Sequence, residues 1–248
     1  MTGVREDGYH LLAAEMVTVD LFDEIEIGAG DRLEVLEAIT WTGSSTAVAS
    51  PAESSWQPNL VERALRAAGR RAAVRLTKHI PAGAGLGGGS ADAAAILRWA
   101  GNTELATAAS LGADVPFCVI GGRALVSGIG EVVEPLGHVP TAYLLVVPPL
   151  HVSTPAVYDA WDSLGGPAGE NGNDLEPAAL MVQPRLGWWR DLIAGAAGQR
   201  PGLAGSGGTW WLTGERTWLE GVADVLRSAI VGSGESALVQ VVASVPGT

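Results

Sequence analysis

Eleven consecutive residues, Pro81-Ala82-Gly83-Ala84-Gly85-Leu86-Gly87-Gly88-Gly89-Ser90-Ala91, combine five glycines with a hydroxyl and open an alanine-dense run over residues 91–99. Glycine adopts backbone conformations that side chains forbid and lets ligand atoms approach main-chain N–H groups closely. Alanine density makes residues 91–99 a helix by propensity. A helix start adds unpaired N–H groups and the positive end of the helix dipole. Loop and helix together make a phosphate cradle that needs no net positive charge. The plainer alternative is a glycine turn ahead of a packed helix, and the coincidence of loop, hydroxyl and helix start favours the anion.

Elimination narrows the kind of anion site. Gly83, Gly85 and Gly88 satisfy the G-x-G-x-x-G spacing of a dinucleotide loop. In that motif an apolar strand runs straight into the first glycine, and an acidic residue ends a second strand about 20 residues on. Here Lys78, His79, Ile80 and Pro81 interrupt the approach, and the stretch near Glu104 has a helical pattern. A Walker loop needs a Gly-Lys-Ser/Thr triplet that the chain lacks, and the His-Arg-Asp and Asp-Phe-Gly signatures of protein kinases are also missing.

Composition limits what the cradle can serve. With 248 residues, 47% of them hydrophobic, the chain buries a sizeable core and is not a disordered tail. A net charge of −12 leaves no general cationic field for nucleic acid or an anionic membrane, so any polyanion is held locally. Lys78 is the sole lysine, and a mechanism that needs one must use it or do without. The lone Cys118 excludes an internal disulfide and a cysteine-based zinc cluster and fits a reducing cytosol. The longest apolar stretch, residues 142–150, is too short to span a bilayer, and a cytoplasmic protein is expected.

The elements that must position the loop follow from periodicity and turn chemistry. Alternation over residues 16–27 predicts a strand, residues 28–31 a turn and residues 32–39 its hairpin partner. Residues 43–58 form a surface loop, and Asn59 caps a helix from 60 to about 68. A strand over 72–77, helices over 91–99 and 104–110, and a strand and turn around 121–122 follow. The second half holds a strand over 143–147, a connector over 165–172, helices over 174–182 and 188–195, a turn at 205–208, a strand over 209–213, a helix over 216–227 and a strand over 237–244. Strands and helices alternate in both halves, which predicts an α+β fold of two lobes with a boundary near residues 138–141.

Residues 78–95 resemble the second motif of the GHMP small-molecule kinases, and the triple glycine with Asp92-Ala93-Ala94 is the form of the 4-diphosphocytidyl-2-C-methyl-D-erythritol kinase branch. Segments 2–10, 59–64, 111–117 with 128–131, and 173–176 are similar to that branch in the same order, and 202–208 resembles the third GHMP motif. The resemblance implies an N-terminal ATP-binding lobe over residues 1–139 and a C-terminal α/β-sandwich lobe over 140–248, with nucleotide and substrate between them. It implies ATP-dependent phosphorylation of the 2-hydroxyl of 4-diphosphocytidyl-2-C-methyl-D-erythritol in non-mevalonate isoprenoid biosynthesis, with ATP and Mg²⁺ and no nucleic-acid or membrane partner.

Residue by residue, the resemblance assigns nucleotide binding to residues 81–91 and makes Asp114 the catalytic aspartate. A carboxylate there takes or orients the proton of the attacking hydroxyl; its other reading is a turn or cap residue before Val115-Pro116. Tyr9 and His10 would contact the cytidine, Tyr158 would place a second aromatic against the base, and Thr154 would hydrogen-bond the substrate. Ser90 is expected to cap the helix or bring its hydroxyl to phosphate or Mg²⁺. Asp92 falls in the expected first turn as a structural group favouring the dipole. The Gly205-Ser206-Gly207-Gly208 turn shapes the cleft floor, departing from the family's commoner Ser-Gly-Ser-Gly. The metal ligands stay unassigned, and no site is given to the nine tryptophans. The family's opening strand, with its Pro-Ala-Lys-hydrophobic-Asn, has no counterpart ahead of Thr2-Gly3, and a start placed downstream of that strand is expected. Two further readings remain open: a nucleotide-binding protein that has lost its chemistry, and a kinase for another small alcohol.

Overall fold

Short amphipathic strands and capped helices build the chain into three sheets with helices packed on them. The computed structural model describes residues 1–5, 8, 10–43, 59–169 and 172–247. Its first half runs β1 (Gly3–Val4), β2 (His10–Val17), β3 (Glu24–Gly28), β4 (Arg32–Glu37), β5 (Thr42–Gly43), α1 (Leu60–Ala67), β6 (Ala73–Lys78), α2 (Gly88–Trp99), α3 (Leu105–Leu111), α4 (Val115–Ile120), β7 (Arg123–Gly128) and β8 (Val132–Leu136). The second half runs β9 (Ala142–Val147), α5 (Thr154–Ser163), α6 (Glu176–Val182), α7 (Arg185–Ala197), β10 (Gly202–Leu203), β11 (Trp210–Gly214), α8 (Arg216–Ser233) and β12 (Ser236–Ala243). The sheet orders are β1-β2-β7-β8, β3-β6-β4 and β10-β11-β9-β12-β5. All pairings are antiparallel except that of β4 with β6.

Two apolar cores lie under these sheets. Val61, Leu76, Ile96, Leu97 and Val115 pack α1, α2 and α4 against β6. Leu144, Trp189, Ile193, Trp210, Leu226 and Ile230 pack α7 and α8 against β9 and β11. A smaller cluster of Ala84, Val147 and Leu238, joined by Leu21, Trp41 and Leu86, ties the glycine loop to the second-half sheet. Among the described residues no helix is long and apolar enough to cross a membrane.

Several elements differ from the sequence expectation. The alternation over 16–27 covers the end of β2, a crossing segment at 18–23, and β3. The crossing backbone is bonded elsewhere: Thr18 N–H donates to Gly122 O at 2.7 Å, and the Asp20 carboxylate accepts from Ala243 N–H at 2.6 Å. β4 is not the hairpin partner of β3, because β6 lies between them and Ala73 faces both Gly28 and Arg32. Val74 and Leu76 of β6 are buried, while Arg75 on its open face sits between Glu26 and Glu34, so the central position suits the more apolar strand. The strand expected around 121–122 follows that turn as β7, and the residues before it form α4, a helix begun with Pro116 in its first turn. α5 was not expected; Ser153 caps it, with Pro155 in its first turn. The loop expected over 43–58 lies, except for Gly43, outside the described residues.

The Asn59 cap is as expected: its side-chain oxygen accepts the Val61 N–H at 2.9 Å. Asn59→Ala is expected to remove about 1 kcal/mol of stability, seen as a lower urea midpoint with an unchanged slope.

Candidate active site

The glycine loop leaves β6 at Lys78 and enters α2 at Gly88. Its middle is set by a second glycine turn from the other half of the chain. Gly85, at φ +75°, has no room for a side chain, since a Cβ would lie 2.5 Å from Gly207 O and 2.9 Å from Ala204 O. The Ala84 carbonyl accepts the buried Thr209 hydroxyl at 2.6 Å. Asn173 holds the second turn by donating to Leu203 O at 2.9 Å and Gly205 O at 2.7 Å. The Thr154 and Ser206 hydroxyls, 2.8 Å apart, tie that turn to the start of α5.

The loop presents unbonded donors. Ala84 N–H donates to Pro81 O and Ala91 N–H to Gly87 O, while residues 85–90 donate no backbone N–H to a backbone acceptor among the described residues. α2 has Gly87 as its N-cap, no side-chain cap and no acidic residue in its first turn. Free N–H groups and an uncompensated dipole end therefore coincide. Two expectations are corrected here. Ser90 does not cap α2 but lies inside it, because the helix starts three residues earlier than the alanine run suggests. Asp92 lies in the second turn, buried and paired with Lys78, so an ion pair rather than the dipole holds it.

Asp114 stands over this loop. It precedes α4 in a helical conformation, and its carboxylate caps nothing and makes no hydrogen bond among the described residues. A Cβ built on Gly87 would be 3.9 Å from Asp114 Oδ2. Burial holds the Asp114 carboxyl above the usual carboxylate range. Its segment is fixed from two sides: the Arg98 guanidinium of α2 donates to Cys118 O at 2.5 Å, and Gly130 lies so close to the Ala113 carbonyl that a side chain would overlap it. Burial, and then the Asp114 charge, push the Cys118 thiol up to about 12, which keeps it protonated.

Beyond Asp114 lies an aromatic group. His10 Nε2 is 2.8 Å from Asp162 Oδ1, and the His10 ring lies 4.8 Å from Tyr158 and, edge-on, 5.7 Å from Trp161, centre to centre. Burial, and then the Asp114 charge, raise the Tyr158 phenol. Tyr9 lies outside the described residues.

Residues 59–122 match the GHMP kinases N terminal domain. The chain is 35% identical to 4-diphosphocytidyl-2-C-methyl-D-erythritol kinase of Cereibacter sphaeroides, over 94% of this chain and 91% of the relative. It is also 35% identical to that of Paracoccus denitrificans, over 84% and 80%. The chain belongs to the 4-diphosphocytidyl-2-C-methyl-D-erythritol kinase family. A crystal structure of 4-(cytidine 5'-diphospho)-2C-methyl-D-erythritol kinase, 28% identical, matches 98% of this chain and 93% of its own with a TM-score of 0.69.

In this member of the kinase family, three site residues escaped the sequence reading. Trp161 and Asp162 share α5 with Tyr158, and their spacing meant nothing while that helix was unrecognised. Asp23 has the look of a polar position in an alternating strand, yet it reaches His79, Ile80 and Lys78. Among the described residues no three His, Cys, Asp or Glu side chains gather as a metal cluster. Ser90, in the first turn of α2, carries a hydroxyl oxygen, a hard donor of the kind that fits Mg²⁺, which takes one or two protein oxygens and completes its shell with phosphate and water.

Gly87 has φ +66°, and its Cβ position faces the space below Asp114. Gly87→Val is expected to weaken ATP binding more than tenfold by calorimetry. Its urea stability should fall by no more than the roughly 1–2 kcal/mol of left-handed strain.

Proposed function

We propose that this kinase transfers the γ-phosphoryl group of ATP to the 2-hydroxyl of 4-diphosphocytidyl-2-C-methyl-D-erythritol, a step of non-mevalonate isoprenoid biosynthesis. The observation that carries this reading is the Asp114 carboxylate, without a hydrogen bond among the described residues, standing over Gly87 in a loop of unbonded N–H groups. The N–H groups of residues 85–90 hold the ATP phosphates. Asp114 takes or orients the proton of the attacking hydroxyl, whose oxygen bonds to the γ-phosphorus as the bond to the β,γ-bridging oxygen breaks and ADP leaves. Ser90 would hold Mg²⁺, which would supply positive charge against the triphosphate.

The other end of the substrate suits the group around His10. The Asp162 carboxylate accepts only from a protonated Nε2, which leaves Nδ1 of a neutral ring as an acceptor, complementary to the exocyclic amine of cytosine. Tyr158 and Trp161 supply aromatic faces for the base, with Tyr9 added on the resemblance. The Thr154 hydroxyl, already paired with Ser206, lies where the substrate passes from base to phosphate. We assign residues 1–139 and 140–248 to two lobes with the reactants between them. An ATP-dependent reaction and the free thiol of Cys118 fit a cytoplasmic site of action.

The reading is tested by following ADP release with ATP and 4-diphosphocytidyl-2-C-methyl-D-erythritol beside a panel of other small alcohols; transfer to another alcohol alone would replace it. Asp114→Asn should lower turnover by roughly 10²-fold or more with little change in ATP affinity. The active form carries ionised Asp114 and burial raises its pKa, so activity is present above that pKa and lost as pH falls through it. The acid limb of the rate profile is therefore expected above the ordinary carboxylate value of about 4, and the residual rate of Asp114→Asn should lack it. Tyr158→Ala should raise KM for the cytidine substrate about tenfold, by loss of base stacking, and leave KM for ATP unchanged.

A further inference from the structure

The chain's sole lysine is buried between two carboxylates at the base of the glycine loop. Lys78 ends β6 immediately before the loop, and Asp92 sits in the second turn of α2 immediately after it. Lys78 Nζ donates to Asp92 Oδ2 at 2.7 Å across 14 residues of chain. Asp23, just ahead of β3, completes the group. Its Oδ2 accepts from the Lys78 ammonium, and its Oδ1 accepts the N–H groups of His79 at 2.6 Å and Ile80 at 2.9 Å. The side chains of Lys78, Asp92 and Asp23 are 12%, 5% and 3% exposed.

We propose that Lys78, Asp92 and Asp23 are positioning residues for ATP: a clasp that joins the two ends of the glycine loop and holds its N–H groups in the phosphate-binding arrangement. The inference rests on the ATP-binding reading of the loop and assigns these groups no contact with the nucleotide. The residues enclosed by the clasp include five glycines in the seven positions 83–89, a stretch with unusual backbone freedom. Freedom that remains before binding is lost on binding and subtracts from affinity. Closing the loop at its ends removes much of it in advance. The contact of Gly85 with the second glycine turn fixes only the middle, whereas Asp23 fixes the entry, Asp92 the exit, and Lys78 bridges them. A buried ion pair is a poor way to gain bulk stability, which fits a role in holding geometry.

The test is ATP calorimetry on the full chain at pH 7.5, alongside kcat at saturating ATP. At pH 7.5 Lys78→Met is expected to weaken ATP binding about tenfold and Asp92→Asn about threefold, with kcat and KM for the second substrate within twofold of the parent. The double variant should bind ATP no more weakly than Lys78→Met alone, because both changes open one clasp. If the parent binds no ATP, the ATP reading itself fails. If the parent binds ATP and both variants match it, or lose kcat with affinity intact, the clasp is overturned and the ATP reading stands. Should Lys78→Met not fold, the comparison of parent with Asp92→Asn decides alone: equal ATP affinity, or a loss of kcat with affinity intact, overturns the clasp.

Discussion

Two glycine turns, one from each half of the chain, meet backbone to backbone, and the geometry of the site depends on that meeting. Gly85 abuts the Gly207 and Ala204 carbonyls, Gly208 abuts the Ala84 carbonyl, and the Thr209 hydroxyl is buried on Ala84 O. No side chain fits at Gly85 or Gly208, so the glycine pattern is set as much by this contact as by any ligand. The consequence is a division of labour within the loop. Its middle is consumed in joining the halves, and its far end, running into α2, keeps the unbonded N–H groups and the space under Asp114.

An acidic protein can therefore bind a polyanion without a cationic surface. With a net charge of −12, long-range attraction for ATP is absent, and the sole lysine is enclosed by Asp23 and Asp92. What remains is fixed partial charge: amide N–H groups at a helix start whose first turn carries no acid. Fixed dipoles of this kind need no reorganisation when charge develops during transfer. The same logic suits Asp114, whose carboxylate has no partner to give up before it receives a proton.

How much of this was legible in the sequence follows from how local each feature is. The Asn59 cap, the glycine loop and the apolar strand around residues 143–147 are determined by neighbours in the chain, and the structure has them close to where propensity puts them. The pairing of β3 and β4 depends on β6, some 40 residues away, inserting between them, and no hairpin signal encodes that. α2 begins on glycines, the weakest helix formers apart from proline, because packing on α1 and α4 overrides propensity. That single shift moved Ser90 from the cap to the helix interior and Asp92 from the first turn to the second. Asp114 was visible only through resemblance. Its distinguishing property, a desolvated carboxylate without a hydrogen bond among the described residues, belongs to a segment fixed by Gly130 closing on Ala113 and Arg98 holding α4, both long-range contacts.

The helix absent from the sequence reading links the two ends of the site. α5 starts with Thr154 bonded to the glycine turn at Ser206, carries Tyr158 one turn later, and presents Trp161 and Asp162 to His10 a turn after that. At 1.5 Å per residue its face spans roughly 12 Å from Thr154 to Asp162. On the proposed reading of the site, this one rigid element fixes the distance between the phosphoryl end and the base end, a spacing on the scale of a nucleoside diphosphate. Binding energy gained at the base, far from the reacting oxygen, can then be used to place the hydroxyl under Asp114. A loop in place of α5 would hold the same residue types without holding that distance, which is why Thr154, Tyr158 and Asp162 acquire joint meaning only as three stations on one helix.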